Sequence, residues 1–205
     1  MKKALLLLLA AMLVGCSGEE TEKKKDEVVK EEKVVPVKYE EVNPESKAEV
    51  EKFVKKYNVR VDVYKQETEE AILLEKIPEP ITSDLNEEKK VLSQILLETD
   101  FNKFKGHYKI VAKYNKDKKI TGYNISVEGL PENEVNEDGD EWGEGIAAAI
   151  SVAQSLGLNI DKFIEAIGVA EEKGTHSYVD SNYKVTALFT DIDLGKFEIN
   201  YDLSK

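Results

Sequence analysis

An α+β fold, an antiparallel β-sheet with helices packed on one face, is predicted by three features of the chain. Apolar and polar residues alternate over 108–114 and again over 120–127, on either side of the polar turn Asn115-Lys116-Asp117-Lys118, which is the pattern of a hairpin. Apolar residues recur at helical spacing over 146–156 and 160–173, and each run meets a glycine, Gly157 or Gly174, placed to end it. The 205 residues are 41% apolar, enough to bury one ordinary core.

The elements follow in order from periodicity. After Pro44, Ala48, Val50, Phe53, Val54 and Tyr57 recur as on one helix face, and Val59, Val61 and Val63 then alternate with Arg60 and Asp62, which predicts a strand. A run over 71–77 returns as the partner strand before Pro78 and Pro80 stop it. Val91, Leu92, Ile95 and Leu96 form another helical stripe, which feeds the hairpin of 108–127. Residues 146–156 are Ala-rich and apolar nearly all round, which predicts a buried helix, and Phe163, Ile164 and Ile167 mark one face of the helix over 160–173. Strands are expected over 183–190 and 196–203, with Asp191 and Asp193 in the turn before Gly195.

Two of these segments superpose. Tyr108, Ile110 and Ala112 match Tyr183, Val185 and Ala187, and Tyr123, Ile125 and Val127 match Phe197, Ile199 and Tyr201. Upstream, Val91-Leu92 with Ile95 parallels Phe163-Ile164 with Ile167, so 84–128 and 159–203 read as duplicated α-β-β units, with 46–77 as a degraded third copy. The helix-then-hairpin arrangement resembles the small PepSY-type domains, often inhibitory or regulatory modules. Asp191, Gly195 and Phe197 stand where that family has a D-x-x-T-G-x-apolar ending, with Leu194 in place of its Thr. The resemblance is one of shape and carries no functional residue.

At the N-terminus, Lys2 and Lys3 precede an uncharged apolar run over 4–14, the form of an export signal. The run is short of the roughly 20 residues that a membrane-spanning helix needs. It closes on Leu13-Val14-Gly15-Cys16, around the chain's one cysteine. Here the sequence resembles bacterial lipoprotein precursors, whose lipobox has this pattern. The resemblance implies that 1–15 is a signal peptide cut between Gly15 and Cys16. It also implies that the Cys16 sulfur carries a diacylglyceryl group, which holds the chain at the cell membrane on its extracytoplasmic face. Two acyl chains anchor a protein stably where one does not. From 16 to 44 Glu and Lys dominate and Val28-Val29 and Val34-Val35 are the only apolar pairs, so this segment is expected to be a flexible tether. Its reach as a coil is about 30 Å. Residues 45–205 then form a single globular domain.

Charge narrows the function. With 29 Lys and Arg against 41 Asp and Glu, the chain carries a formal −12, which excludes a nucleic-acid binder and any attachment to an anionic leaflet through a basic face. One cysteine excludes disulfide frameworks and Cys-based zinc sites. The acidic segment 132–144 places Asn136, Asp138 and Asp140 at the one-apart spacing of oxygen ligands in calcium loops, which makes weak Ca²⁺ binding the one metal expectation. Against it, Glu141 stands where an EF-hand loop needs Gly and Ala147 where it needs a bidentate Glu; a solvated acidic loop beside a helix N-terminus is the plainer account. Trp142 is a candidate partner contact, or an aromatic anchoring its loop to the core. His107 and His176 have no metal-ligand spacing, no G-x-S-x-G is present, and no catalytic residue stands out. The expected role is a membrane-anchored module that binds a protein or a small ligand. The alternatives are an envelope hydrolase with a carboxylate or His base and a regulatory module that inhibits an envelope protease.

Overall fold

The computed structural model describes residues 36–67, 73–88, 91–102, 106–129, 143–190 and 194–201. The first long element is a helix, α1 (Pro44–Glu67), which opens with proline at its first position and with the side chain of Asn43 accepting from the amides of Glu45 (3.0 Å) and Ser46 (3.4 Å). Val50, Phe53, Val54, Tyr57 and Val61 are all buried along one stripe. That stripe continues the helical period through 59–63, so the strand expected there is instead the end of α1, and Val59 lies 59% exposed on the opposite side. Burial of a continuous face outweighs the weak preference of three valines for a strand. The partner strand expected over 71–77 is also absent among the described residues 73–77. Leu74 and Ile77 are buried from irregular chain, which Asn58 of α1 fixes by accepting from the Ile77 amide and donating to its carbonyl, both at 2.9 Å.

Seven strands, all antiparallel, form one sheet: β1 (Asn86–Glu88), β2 (Val91–Asp100), β3 (Gly106–Tyr114), β4 (Ile120–Gly129), β5 (Thr175–Asp180), β6 (Tyr183–Thr190) and β7 (Leu194–Tyr201), in the spatial order β1-β2-β3-β4-β7-β6-β5. The helical stripe expected at 91–96 is therefore a strand. Leu92, Gln94 and Leu96 are its buried residues, an alternation that a glutamine in the middle conceals. Gln94 is tolerated because Tyr114 donates to its Oε1 (2.6 Å) and its Nε2 donates to the Ser83 carbonyl (2.7 Å). The edge strand β5 carries no fully buried residue and gives no apolar alternation to read.

The hairpins of the two suspected copies share one register. Tyr108 faces Val127 and Ala112 faces Tyr123 in the first; Tyr183 faces Tyr201 and Ala187 faces Phe197 in the second. The helical part of the repeat is corrected: strand β2 stands in the first copy where a helix was expected, and the order from the central β4–β7 pair runs outward as β4-β3-β2 and β7-β6-β5.

Helices α1, α2 (Gly143–Leu156) and α3 (Ile160–Lys173) cover one face of the sheet, that of Tyr108, Ile110, Tyr123, Ile125, Val185, Phe197 and Ile199. Phe53 of α1 lies 4.3 Å between ring centroids from Tyr123, and Phe163 of α3 lies 5.4 Å from Phe197. α3 is capped by Asn159, which accepts from the Lys162 amide, and ends at Gly174 with φ of 80°. The start of α2 is pinned by Glu144, wholly buried and accepting from the Asn102 amide at 2.7 Å. The other face is polar: Lys109 pairs with Glu98 at 2.7 Å, and Lys196 and Lys113 converge on Glu198 at 3.0 and 3.5 Å.

The body also begins earlier than expected. Residues 36–43, read from composition as part of the tether, are docked on it: Val37 bridges to Leu85, Tyr39–Glu41 form a 3₁₀ turn, and Tyr39 and Val42 are buried. Three apolar side chains scattered among Lys and Glu suffice because each meets a preformed partner surface.

α2 reaches the sheet through Gly145, where a Cβ would stand 2.0 Å from Val127 Cγ1. Gly145→Ala is expected to destabilise the fold by about 2 kcal/mol through overpacking. The loss should be clearly smaller when Val127 is already Ala; urea denaturation of the two single variants and the double variant measures both values.

Candidate functional site

Where α1 crosses the central strands and meets the C-terminal end of α2, a cavity of about 360 Å³ opens, lined by Ala48, Glu49, Lys52, Phe53, Lys56, Tyr123, Ser155, Leu156 and Tyr183. The helix contributes residues three and four apart, 49, 52, 53 and 56, and the sheet contributes one aromatic each from β4 and β6. Ser155 turns its hydroxyl back to the Ser151 carbonyl at 2.6 Å, so it offers the cavity an already committed donor.

The polar chemistry is a cluster of phenols around one carboxylate. Tyr201 donates to Glu49 Oε1, and the Tyr183 hydroxyl lies 3.5 Å from that of Tyr201, with the two rings 4.9 Å apart. Burial raises the Glu49 carboxyl above its ordinary value, against the opposing pull of Lys52. Burial, with Glu49 adding to it, pushes the Tyr183 phenol up to about 12, and the same two causes, joined by Tyr183, Tyr114 and Tyr39, hold Tyr123 well above its usual range. The phenols of Tyr183 and Tyr123 are therefore neutral O–H donors throughout the physiological range.

Tyr123 stands apart in this group. Its side chain is wholly buried, and its hydroxyl, like those of Tyr39, Tyr57 and Tyr178, has no hydrogen-bond partner among the described residues; of these four only Tyr123 lines the cavity. A buried polar group left unpaired costs about 1–3 kcal/mol, so an oxygen acceptor brought into the cavity would meet a donor already desolvated. Next to the cavity, and sharing Lys56 and Ser155 with it, lies a second of about 460 Å³ lined also by Lys55, Val59, Arg60 and Gln154.

The residues singled out from sequence are not brought together here. Cys16 and Gly15, the acidic Asn136, Asp138 and Asp140, and Trp142 all lie outside the described residues. Among the described residues no three His, Cys, Asp or Glu side chains are grouped so as to hold a metal ion. His107 is on β3, with Nε2 3.6 Å from Glu128 Oε2, and His176 is on β5, its ring beside that of Tyr178. Three strands, β4, β7 and β6, separate them, and neither lines the cavity. The tyrosines escaped notice because each reads, correctly, as a core residue of a strand. The available signal was their number, nine Tyr against six Phe, since a phenol in a core must find a partner for its hydroxyl.

No protein-family model, curated protein or solved structure matches the chain.

Glu49 supplies a test of the site's electrostatics. A carboxyl whose value is raised in the folded state favours folding in its protonated form, so its contribution is greatest below the ordinary value of 4.5 and is lost as the pH rises through the raised value. Glu49→Gln removes the ionisation. The variant should gain melting temperature relative to the parent as the pH is taken from 4 to 7; a constant offset across that range would contradict the assignment.

Proposed function

We propose that this chain is a lipid-anchored extracytoplasmic binding module whose site is the cavity between α1 and the β4–β6 face. The observation that carries the binding reading is the Tyr123 hydroxyl: a buried donor without a partner among the described residues, on a side chain that lines a cavity of small-molecule size. The anchoring half rests on Lys2, Lys3, the apolar run and Leu13-Val14-Gly15-Cys16. No helix among the described residues is long and apolar enough to cross a membrane, which is compatible with a lipid anchor.

A second reading, an envelope hydrolase with a carboxylate base, draws on Glu49, whose raised carboxyl beside two phenols is the setting of a general base. The binding reading is preferred because, among the described residues, no histidine, cysteine or metal-ligand group accompanies Glu49 in the cavity wall.

Two measurements test the two halves. Intact-mass analysis of the chain purified from membranes should show an N-terminus at Cys16 bearing a diacylglyceryl group, and an uncut, unmodified N-terminus would refute the anchor. Tyr123→Phe should raise the stability of the ligand-free protein by about 1 kcal/mol, since it removes an unsatisfied buried hydroxyl. Loss of stability in that variant would mean that the hydroxyl serves the fold and not a ligand.

A further inference from the structure

The second cavity adds what the first lacks, a charge of one sign. Lys52, Lys56 and Arg60 follow each other at i, i+4 and i+8 along α1 and form one stripe. Lys52 and Lys56 line the phenol cavity, and Lys56 and Arg60 line its neighbour. Among the described residues none of the three is in a salt bridge; Lys52 acts on the Glu49 carboxyl, and Gln154 and Ser155 across from the stripe are uncharged. Like charges four apart weaken a helix by a few tenths of a kcal/mol per pair. A chain of net −12 that holds its sole arginine and two lysines in such a row, over two adjacent cavities, concentrates positive potential against its overall charge.

We propose that the ligand of this site is an oxygen-rich anion, with a phosphate or carboxylate seated between Lys56 and Arg60 and neutral oxygen acceptors reaching the phenols of Tyr123 and Tyr183. This rests on the binding reading above and deepens it. The stripe from Lys52 to Arg60 spans about 12 Å at 1.5 Å per residue, so the ligand is larger than a bare phosphate and is the size of a phosphorylated polyol. The uncharged end belongs at the phenols because they are neutral donors, and the charged end belongs beyond Lys56, away from Glu49. The exposed Val59, between Lys56 and Arg60, gives an apolar edge to the charged end. The same chemistry is offered by a free phosphorylated polyol and by the headgroup of an anionic phospholipid.

The full chain, held in a neutral detergent, is titrated with glycerol 3-phosphate, succinate and glycerol while its melting temperature and binding heat are followed. Glycerol 3-phosphate is expected to bind and stabilise, glycerol is not, and Lys56→Gln with Arg60→Gln should weaken binding at least tenfold without changing the ligand-free melting temperature by more than about a degree. Dihexanoyl phosphatidylglycerol below its micellar concentration, set against dihexanoyl phosphatidylcholine, separates the sources. Displacement of glycerol 3-phosphate by the first lipid alone assigns a lipid headgroup, and displacement by neither assigns a free anion. The proposal is overturned if neither anion binds, or if the double variant binds as the parent does. Glycerol binding as well as its phosphate, with Tyr123→Phe abolishing both, would also overturn the anion while leaving the cavity as the binding site.

Discussion

The β4–β7 pairing is the contact on which the rest of the fold depends. It joins the four strands β1 to β4 to the three strands β7, β6 and β5, and its register sets Tyr123 beside Ile199 and Ile125 beside Phe197 on the covered face. Two of the three helices that cover that face dock on these same strands through aromatic rings, α1 through Phe53 on Tyr123 and α3 through Phe163 on Phe197. Burying one such aromatic stabilises the fold by roughly 2–3 kcal/mol, so a slip of one residue, which would turn the ring of the slipped strand outward, is strongly disfavoured. Gly122 shows how tight the pairing is: with φ of 151° it lies where a Cβ would come within 2.2 Å of the Ile199 carbonyl oxygen. The cavity is a by-product of this pairing, because the strands that must pair bring Tyr123, Tyr183 and Tyr201 under the middle of α1.

How much of this was legible in the sequence depended on whether burial left a clean period. The hairpin of β3 and β4, the helices α2 and α3 with their terminal glycines, and the hairpin of β6 and β7 all show one, and the matching of Tyr108 with Tyr183 foreshadowed a register that the two hairpins share. α1 was cut short because valines at 59, 61 and 63 also satisfy a period of two, although Val54, Tyr57 and Val61 continue the helical one. β2 was misread because its buried middle residue is Gln94, polar by type and yet wholly enclosed, and its partners Tyr114 and Ser83 are distant in sequence. The cavity was not legible at all, since it is assembled from α1, α2, β4 and β6, and each of its tyrosines serves equally well as plain core.

The site and the core draw on the same residues, and they make opposite demands. A core is most stable when every buried hydroxyl is paired, as Tyr114 is with Gln94. Among the described residues Tyr123 departs from that rule, as Tyr39, Tyr57 and Tyr178 do, and it does so on a central strand with its ring 4.3 Å from that of Phe53, so the unpaired group is not the result of loose packing. A replacement by phenylalanine would keep the ring and its contact with Phe53 and would lose only the hydroxyl. That this phenol, alone of the four, stands in the wall of the cavity is what supports the proposed binding reading.

Charge distribution points the same way. Surface acids on this chain are partly matched: Glu98 by Lys109, Glu41 by Lys118, and Glu198 by Lys196 and Lys113, which together hold the Glu198 carboxyl below its ordinary value although burial acts to raise it. Lysines are thus spent on neutralising carboxylates across the open sheet face and the turns. Along the outer side of α1 the pattern reverses, with cations in a row and uncharged side chains facing them. In an acidic protein such a reversal raises the local concentration of anions against the field of the whole molecule, which both speeds their arrival and selects them over neutral analogues. On the proposed reading the phenols alone would accept any oxygen-bearing molecule of the right size, and the row of cations beside them is what would make the site discriminating.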